Sequence, residues 1–206
     1  MLALLVFLST TWMVWKNYKP FLLLEEKTAA FFSRVFGQPE MTYQEGFFNG
    51  LFTFLVTYAS APYLSSLTVL LALVLFLNGK FLLGLSVLAI MSTGGILGIA
   101  LKNFFKRPRP ENSLSTEKGY SFPSGHAIAT SLFFLIIIRL LLPELADPSL
   151  RIMLTILLSL TCFTVLFSRL YFHAHHLGDI IVGFSYAILW VQAGTFIYHW
   201  LVNLTS

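Results

Sequence analysis

FLLGLSVLAIMSTGGILGIALKNFFKRPRP, residues 81 to 110, reads in two halves. Phe81 to Leu101 carries no charge, and Lys102, Lys106, Arg107 and Arg109 follow directly. A helix needs about 20 apolar residues to cross roughly 30 Å of hydrocarbon, so the first half predicts a membrane span and the second a cationic loop at its end. The same reading extends outward in both directions. Leu51 to Leu77, Ala127 to Leu142, Ile152 to Phe167 and Ile180 to Leu201 are also apolar runs of about span length. Leu2 to Trp15 is shorter and has neither the basic start nor the small-residue cleavage site of a signal peptide. We read it as a first span, its shortness consistent with a clipped start.

Composition agrees. Of 206 residues, 57% are hydrophobic and 11% charged, against about 25% charged in a soluble globular protein. The mean hydropathy is +0.79. The expected fold is therefore all-α, a polytopic membrane helical bundle of about six transmembrane helices. No repeat or polar linker divides residues 1–206, so one domain is expected. Phe21 to Phe36, FLLLEEKTAAFFSRVF, mixes charges and apolar residues with loose helical periodicity. It suits an interfacial helix on the membrane surface or a cap over the bundle. Pro62 lies inside the long run Leu51 to Leu77, so the first part of that run is expected to tilt or to project beyond the hydrocarbon. The one cysteine, Cys162, excludes an intrachain disulfide and a thiolate metal cluster.

Three polar clusters interrupt the lipid-compatible sequence: KNFFKRPRP (Lys102 to Pro110), PSGH (Pro123 to His126) and SRLYFHAHHLGD (Ser168 to Asp179). Counting crossings places all three at one face of the bundle, whether the chain has five spans or six. Lys102 and Arg109 suit a multivalent anion, because the guanidinium fork matches phosphoryl oxygens. Lys106 and Arg107 equally suit headgroup anchors. In PSGH, Ser124 and Gly125 open a helix whose free N–H groups could bind phosphoryl oxygens, and His126 can exchange a proton near neutral pH. Taken alone, the tetrapeptide is equally a helix cap with an interfacial histidine. In the third cluster His175 and Asp179 lie four apart, on one helix face, so the carboxylate can orient the imidazole. His176, three residues from Asp179, satisfies helical spacing too. Arg169 adds a cation to the same loop. HAHH is discounted as a metal site because its surroundings are cationic.

In this order and spacing the clusters resemble the signature of the type 2 phosphatidic acid phosphatase (PAP2) superfamily. The match runs through Lys102, Arg109, Pro110, Pro123, Ser124, Gly125, His126, Ser168, Arg169, His175 and Asp179. The resemblance implies a lipid phosphate phosphatase with His175 as nucleophile, Asp179 orienting it, and His126 as general acid and then base. It implies that Lys102, Ser124, Gly125, Arg109 and Arg169 bind the phosphoryl group, without metal or other cofactor, and that His173 and His176 sit at the rim. The implied partners are the bilayer and a phosphorylated membrane lipid, with no nucleic acid. Undecaprenyl pyrophosphate is favoured over phosphatidylglycerol phosphate and phosphatidic acid on the family's bacterial roles. A lipid phosphotransferase is the alternative enzyme, and a lipid-phosphate carrier the non-enzymatic one. The family also implies a site on the extracytoplasmic face. Charge counting says the reverse, because Lys16, Lys19, Lys27, Arg34, Lys102, Lys106, Arg107, Arg109, Lys118 and Arg169 fall on the site's side, against Lys80, Arg139 and Arg151 opposite.

Overall fold

The computed structural model describes residues 1–44, 46–110 and 119–205. Lys118, counted above among the cations of the site's side, lies outside them. The described residues are all-α, with eight α-helices: α1 Leu2–Trp15, α2 Lys19–Phe36, α3 Phe47–Tyr58, α4 Ala61–Leu77, α5 Phe81–Phe105, α6 Gly125–Ile136, α7 Pro148–Tyr171 and α8 Leu177–Thr205. A π-helical turn, Ile137–Leu141, and a 3₁₀ turn, Leu142–Glu144, prolong α6 into one apolar segment, Gly125–Glu144.

Among the described residues, four segments are long and apolar enough to cross a membrane: α5, α6 with its two turns, α7 and α8. The run Leu51 to Leu77 is not one straight span. It breaks between Tyr58 and Ala61, and α3 and α4 meet at 60°. Pro62 stands in the first turn of α4, where its missing N–H costs nothing, and the chain bends before it. Taken as one broken span, this pair makes a fifth crossing. The 14-residue α1 is apolar but shorter than a crossing requires. The structure thus supports four or five spans where the sequence suggests six.

The main core lies between α4, α5, α6, α7 and α8, around Val87, Leu132, Val165 and Val191, each essentially inaccessible. Glycines permit the close packing. A β-carbon on Gly94 would stand 2.8 Å from Leu132 Cδ1 and Trp190 Cδ1, and one on Gly98 2.9 Å from Ile128 Cδ1. Tyr186, buried at mid-span, donates its hydroxyl to the Gly94 carbonyl at 2.9 Å, as an apolar medium demands of a phenol.

One end of the bundle is marked by the ion pair of Lys80, before α5, with Glu144, before α7. The opposite end gathers the C-termini of α5 and α7 and the N-termini of α6 and α8. There α2 lies across the bundle, with Phe21, Glu25 and Phe32 buried along one stripe. Phe32 and Phe36 stack against Phe167 and Tyr171 of α7, which Phe52 of α3 also meets. The amphipathic helix therefore serves as a cap seated on the bundle.

Candidate active site

Lys102, Arg109, Ser124, Gly125, His126, Arg169, His175 and Asp179 all fall at the end of the bundle that α2 covers. Helix α5 ends at Phe105, and the left-handed Lys106 (φ 49°) turns the chain so that Arg107 and Arg109 run back over the bundle. Lys102, in the last turn of α5, reaches the start of α6. Its Nζ lies 3.7 Å from where a Gly125 β-carbon would stand, so the absent side chain leaves room beside the ammonium.

Ser124 caps α6, its Oγ accepting from Ala127 N at 3.3 Å, and it is fully buried. The capping geometry leaves the hydroxyl proton available, because a serine can accept and donate at once. Ser124 N donates to the Asp179 carbonyl at 3.0 Å, which fastens the start of α6 to the start of α8. His126 turns its Nε2 to the Val56 carbonyl at 3.2 Å. Thr130, one turn on, donates to the Ala59 carbonyl at 3.2 Å. Both acceptors lie at the α3–α4 break, where helix carbonyls lose their usual partners.

His175 and Asp179 do meet, but not on one helix face as their spacing suggests: α8 begins at Leu177, and His175 reaches Asp179 from the loop two residues before it. His175 Nδ1 lies 3.4 Å from Asp179 Oδ2, and both side chains are fully buried. The other ring nitrogen, Nε2, faces Arg109 Nη1 at 3.4 Å. Arg109 is itself tethered by hydrogen bonds to the carbonyls of Ala174 at 3.0 Å and Gly119 at 3.2 Å. Burial lowers the His175 pKa to about 4, with Arg169 and Arg109 acting in the same direction and Asp179 opposing them. The imidazole is therefore neutral at physiological pH, with Nδ1–H directed at the carboxylate and a lone pair on Nε2. Arg169 is wholly buried at the end of α7.

The histidines of HAHH take separate paths. His173 Nε2 pairs with the Gly37 carbonyl at 3.2 Å, and the residue is 5% exposed. It is part of the seam between α2 and the α7–α8 loop, not of the rim. His176 is half-buried, and burial followed by the Arg107 charge lowers its pKa. Its backbone N–H donates to Asp179 Oδ2 at 3.0 Å. Among the described residues, no three of His, Cys, Asp and Glu converge as metal ligands would.

Two site residues escape the sequence reading. Arg107 is turned into the protein instead of outward as an anchor would be. Its side chain is 13% exposed, and it bridges Asp179 Oδ1 (Nη1, 2.8 Å) and both oxygens of Glu25 (Nη1, 3.1 Å; Nη2, 2.5 Å). Burial opposes the Arg107 charge, but the two carboxylates outweigh it and its pKa is raised. Glu25, from the buried stripe of α2, also accepts from Gly178 N at 3.0 Å in the first turn of α8. A carboxylate on the apolar stripe of an amphipathic helix was the available signal, because such a charge needs a buried partner.

Alongside Lys102 and Gly125 opens an apolar groove of about 340 Å³ between α4, α5 and α6. Gly95 lines it, and a β-carbon there would meet nothing within 4 Å, unlike its neighbours Gly94 and Gly98.

Residues 83–205 match the family model described as the PAP2 superfamily. Phosphatidylglycerophosphatase B of Bacillus subtilis is 29% identical over 143 residues, which are 68% of this chain and 70% of that protein. The crystal structure of a transmembrane PAP2-type phosphatidylglycerolphosphate phosphatase from Bacillus subtilis superposes with a TM-score of 0.77. At 21% identity, that comparison covers 95% of this chain and 94% of the other.

Proposed function

This chain belongs to the PAP2 superfamily and is a multi-pass membrane lipid phosphatase, and from that premise we propose that it hydrolyses a terminal lipid phosphate through a phosphohistidine on His175. The observation that carries the reading is the His175 ring, held between Asp179 on Nδ1 and Arg109 on Nε2. A nucleophile needs a free electron pair aimed at an electrophile, and the cation beside Nε2 marks where a phosphoryl oxygen would rest.

In the first step Nε2 attacks phosphorus, the N–P bond forms, and the P–O bond to the lipid breaks. The departing oxygen takes its electron pair and a proton from His126. Water then attacks phosphorus, gives its proton to His126, and the N–P bond breaks to return the pair to Nε2. Asp179 retains Nδ1–H throughout. Arg109, Arg169 and Lys102, with the Ser124 hydroxyl and the Gly125 N–H, hold the phosphoryl oxygens and stabilise their charge in the transition state.

The groove beside Lys102 and Gly125 supports a lipid substrate. It would carry a tail at membrane depth while the headgroup phosphate meets the ammonium. The name of the Bacillus relative favours phosphatidylglycerol phosphate as substrate over undecaprenyl pyrophosphate, whose preference rested on the family's bacterial roles alone. Helix α1 packs along α8 and would be the sixth crossing. Leaving out the ion-paired Arg107, the charge count still runs nine against three for a cytoplasmic site, and the orientation implied by the family is set against it. We place the site on the extracytoplasmic face.

Phosphate release from detergent-purified protein tests the reading, with phosphatidylglycerol phosphate, phosphatidic acid and undecaprenyl pyrophosphate compared in EDTA. Release that persists in chelator and vanishes in His175→Ala is expected. Unchanged release in that variant would sink the phosphohistidine, and a rate that depends on an added acceptor alcohol would identify a phosphotransferase instead.

A further inference from the structure

We propose that Glu25 is a positioning residue for the phosphatase reaction, acting through Arg107 to fix Asp179 and to supply the negative charge that lets His175 carry a phosphoryl group. The proposal rests on the phosphohistidine reading above. It concerns a residue outside the three sequence clusters and outside the stretch matched by the family model.

Asp179 divides its oxygens. Oδ1 accepts from Arg107, while Oδ2 faces His175 Nδ1 and accepts from His176 N. The Arg107 contact therefore sets the carboxylate plane, and the plane sets which oxygen meets the histidine. Arg107 is held in turn by Glu25, 82 residues away on α2, through both guanidinium amino groups. Glu25 is 5% exposed, and its Oε1 accepts from Gly178 N, one residue before Asp179. A single carboxylate thus anchors both ends of the assembly that presents His175.

Charge gives Glu25 a second role. Phosphoryl capture at Nε2, with Nδ1–H retained, turns the neutral imidazole ring into a cation next to Arg109 and Arg169. An Arg107–Asp179 pair alone is neutral and offers that ring little net compensation. With Glu25 included, the buried triad carries one net negative charge, the complement of the phosphorylated imidazolium. Removing one partner of such a buried group leaves an uncompensated charge, a large effect in a low-dielectric site.

The test uses the full chain in detergent, with phosphatidylglycerol phosphate and phosphatidic acid as probes, and follows both steady-state release and the burst of phosphoenzyme. Glu25→Gln keeps the shape and removes the charge. We expect kcat and the burst rate to fall at least about tenfold with KM within about threefold, and Glu25→Asp to recover part of the loss. Losses from Glu25→Gln and Arg107→Gln should not add in the double variant, because both changes act on the one Asp179 carboxylate. A folded Glu25→Gln with kcat within twofold of the parent overturns the proposal. So does a loss confined to KM, or a double variant in which the two single losses simply add. Should Glu25→Gln fail to fold, Glu25→Asp is compared with the parent, and a kcat within twofold of the parent overturns the proposal. His175→Ala separates the two readings: if it abolishes release while Glu25→Gln does not, only the role of Glu25 fails.

Discussion

Acidification offers a direct test of which histidine is the nucleophile. A free imidazole titrates near 6.5 and would be only about 3% neutral at pH 5. His175, with its pKa held down to about 4, remains about nine-tenths neutral there. The rate of phosphoenzyme formation, read by rapid quench in single-turnover conditions, should therefore keep its nucleophile-limited acid limb near pH 4. Because Arg109 pushes the proton off His175 and Asp179 draws it on, Arg109→Gln should move that limb up and Asp179→Asn should move it down. Stability follows the same linkage. Between pH 6.5 and 4 the unfolded chain binds a proton at His175 that the folded chain does not, so stability falls as pH falls through this window. A shift of this size corresponds to about 3 kcal/mol in full, and His175→Gln should remove that part of the pH dependence. A burst-phase limb centred between pH 6 and 7, unmoved by Arg109→Gln, would refute the assignment of the buried neutral ring as nucleophile.

Adjacent glycines in α5 should respond oppositely. Gly94→Ala places a methyl 2.8 Å from Leu132 and Trp190 and should cost about 1–3 kcal/mol, whereas Gly95→Ala enters open space and should stabilise the helix by about 0.5–1 kcal/mol. Thermal unfolding in one detergent checks the order. Gly95→Leu, which fills the groove, should raise KM several-fold for a long-chain lipid and spare a short-chain analogue; equal effects on both would remove the groove from substrate binding. Thr130→Val leaves the Ala59 carbonyl without its side-chain donor and should cost about 1–3 kcal/mol, with a shift in the His126-dependent limb of the steady-state pH profile if the two contacts at the break act together.

The spans were legible because lipid imposes length and polarity on a helix. Phe81 to Leu101, Ile152 to Phe167 and Ile180 to Leu201 all lie inside observed helices, which run on by up to about a turn where polar residues continue the hydrogen-bond ladder. The pairing of His175 with Asp179 was guessed from helical spacing but arises otherwise, because His175 precedes the first residue of α8 and Asp179, in its first turn, reaches back to the loop, accepting also from His176 N. The break at residues 59–60 was only half legible. Pro62 announced a disturbance, but proline in a first turn is harmless, and the bend depends on α6 donating to the stranded carbonyls. Arg107 was misread because its direction depends on a left-handed lysine, a conformation that no local pattern of non-glycine residues announces. Glu25 and Glu26 are adjacent on a helix and must diverge by about 100°. The spacing of Phe21, Glu25 and Phe32 put Glu25 on the buried stripe, yet only the fold could name Arg107 as its partner.

The site lies at helix ends for a reason inherent in an all-helical membrane protein. Within the spans every backbone N–H is committed to its own helix, so free donors exist only at N-termini. Two such termini, those of α6 and α8, meet here, joined by the bond from Ser124 N to the Asp179 carbonyl. The sequence treats them oppositely. At α8 the exposed N–H groups are taken by carboxylates: Glu25 accepts from Gly178 N, and Asp179 reaches back to His176 N. That terminus is already filled with negative charge and would repel a phosphate. At α6 the cap is a neutral serine, the next residue is glycine, and the neighbouring charge is the Lys102 ammonium. An arriving phosphate therefore finds one terminus electrostatically closed and the other open, with the His175 ring held on the wall between them. The carboxylates that orient the nucleophile thus also help to decide which helix end can receive the anion.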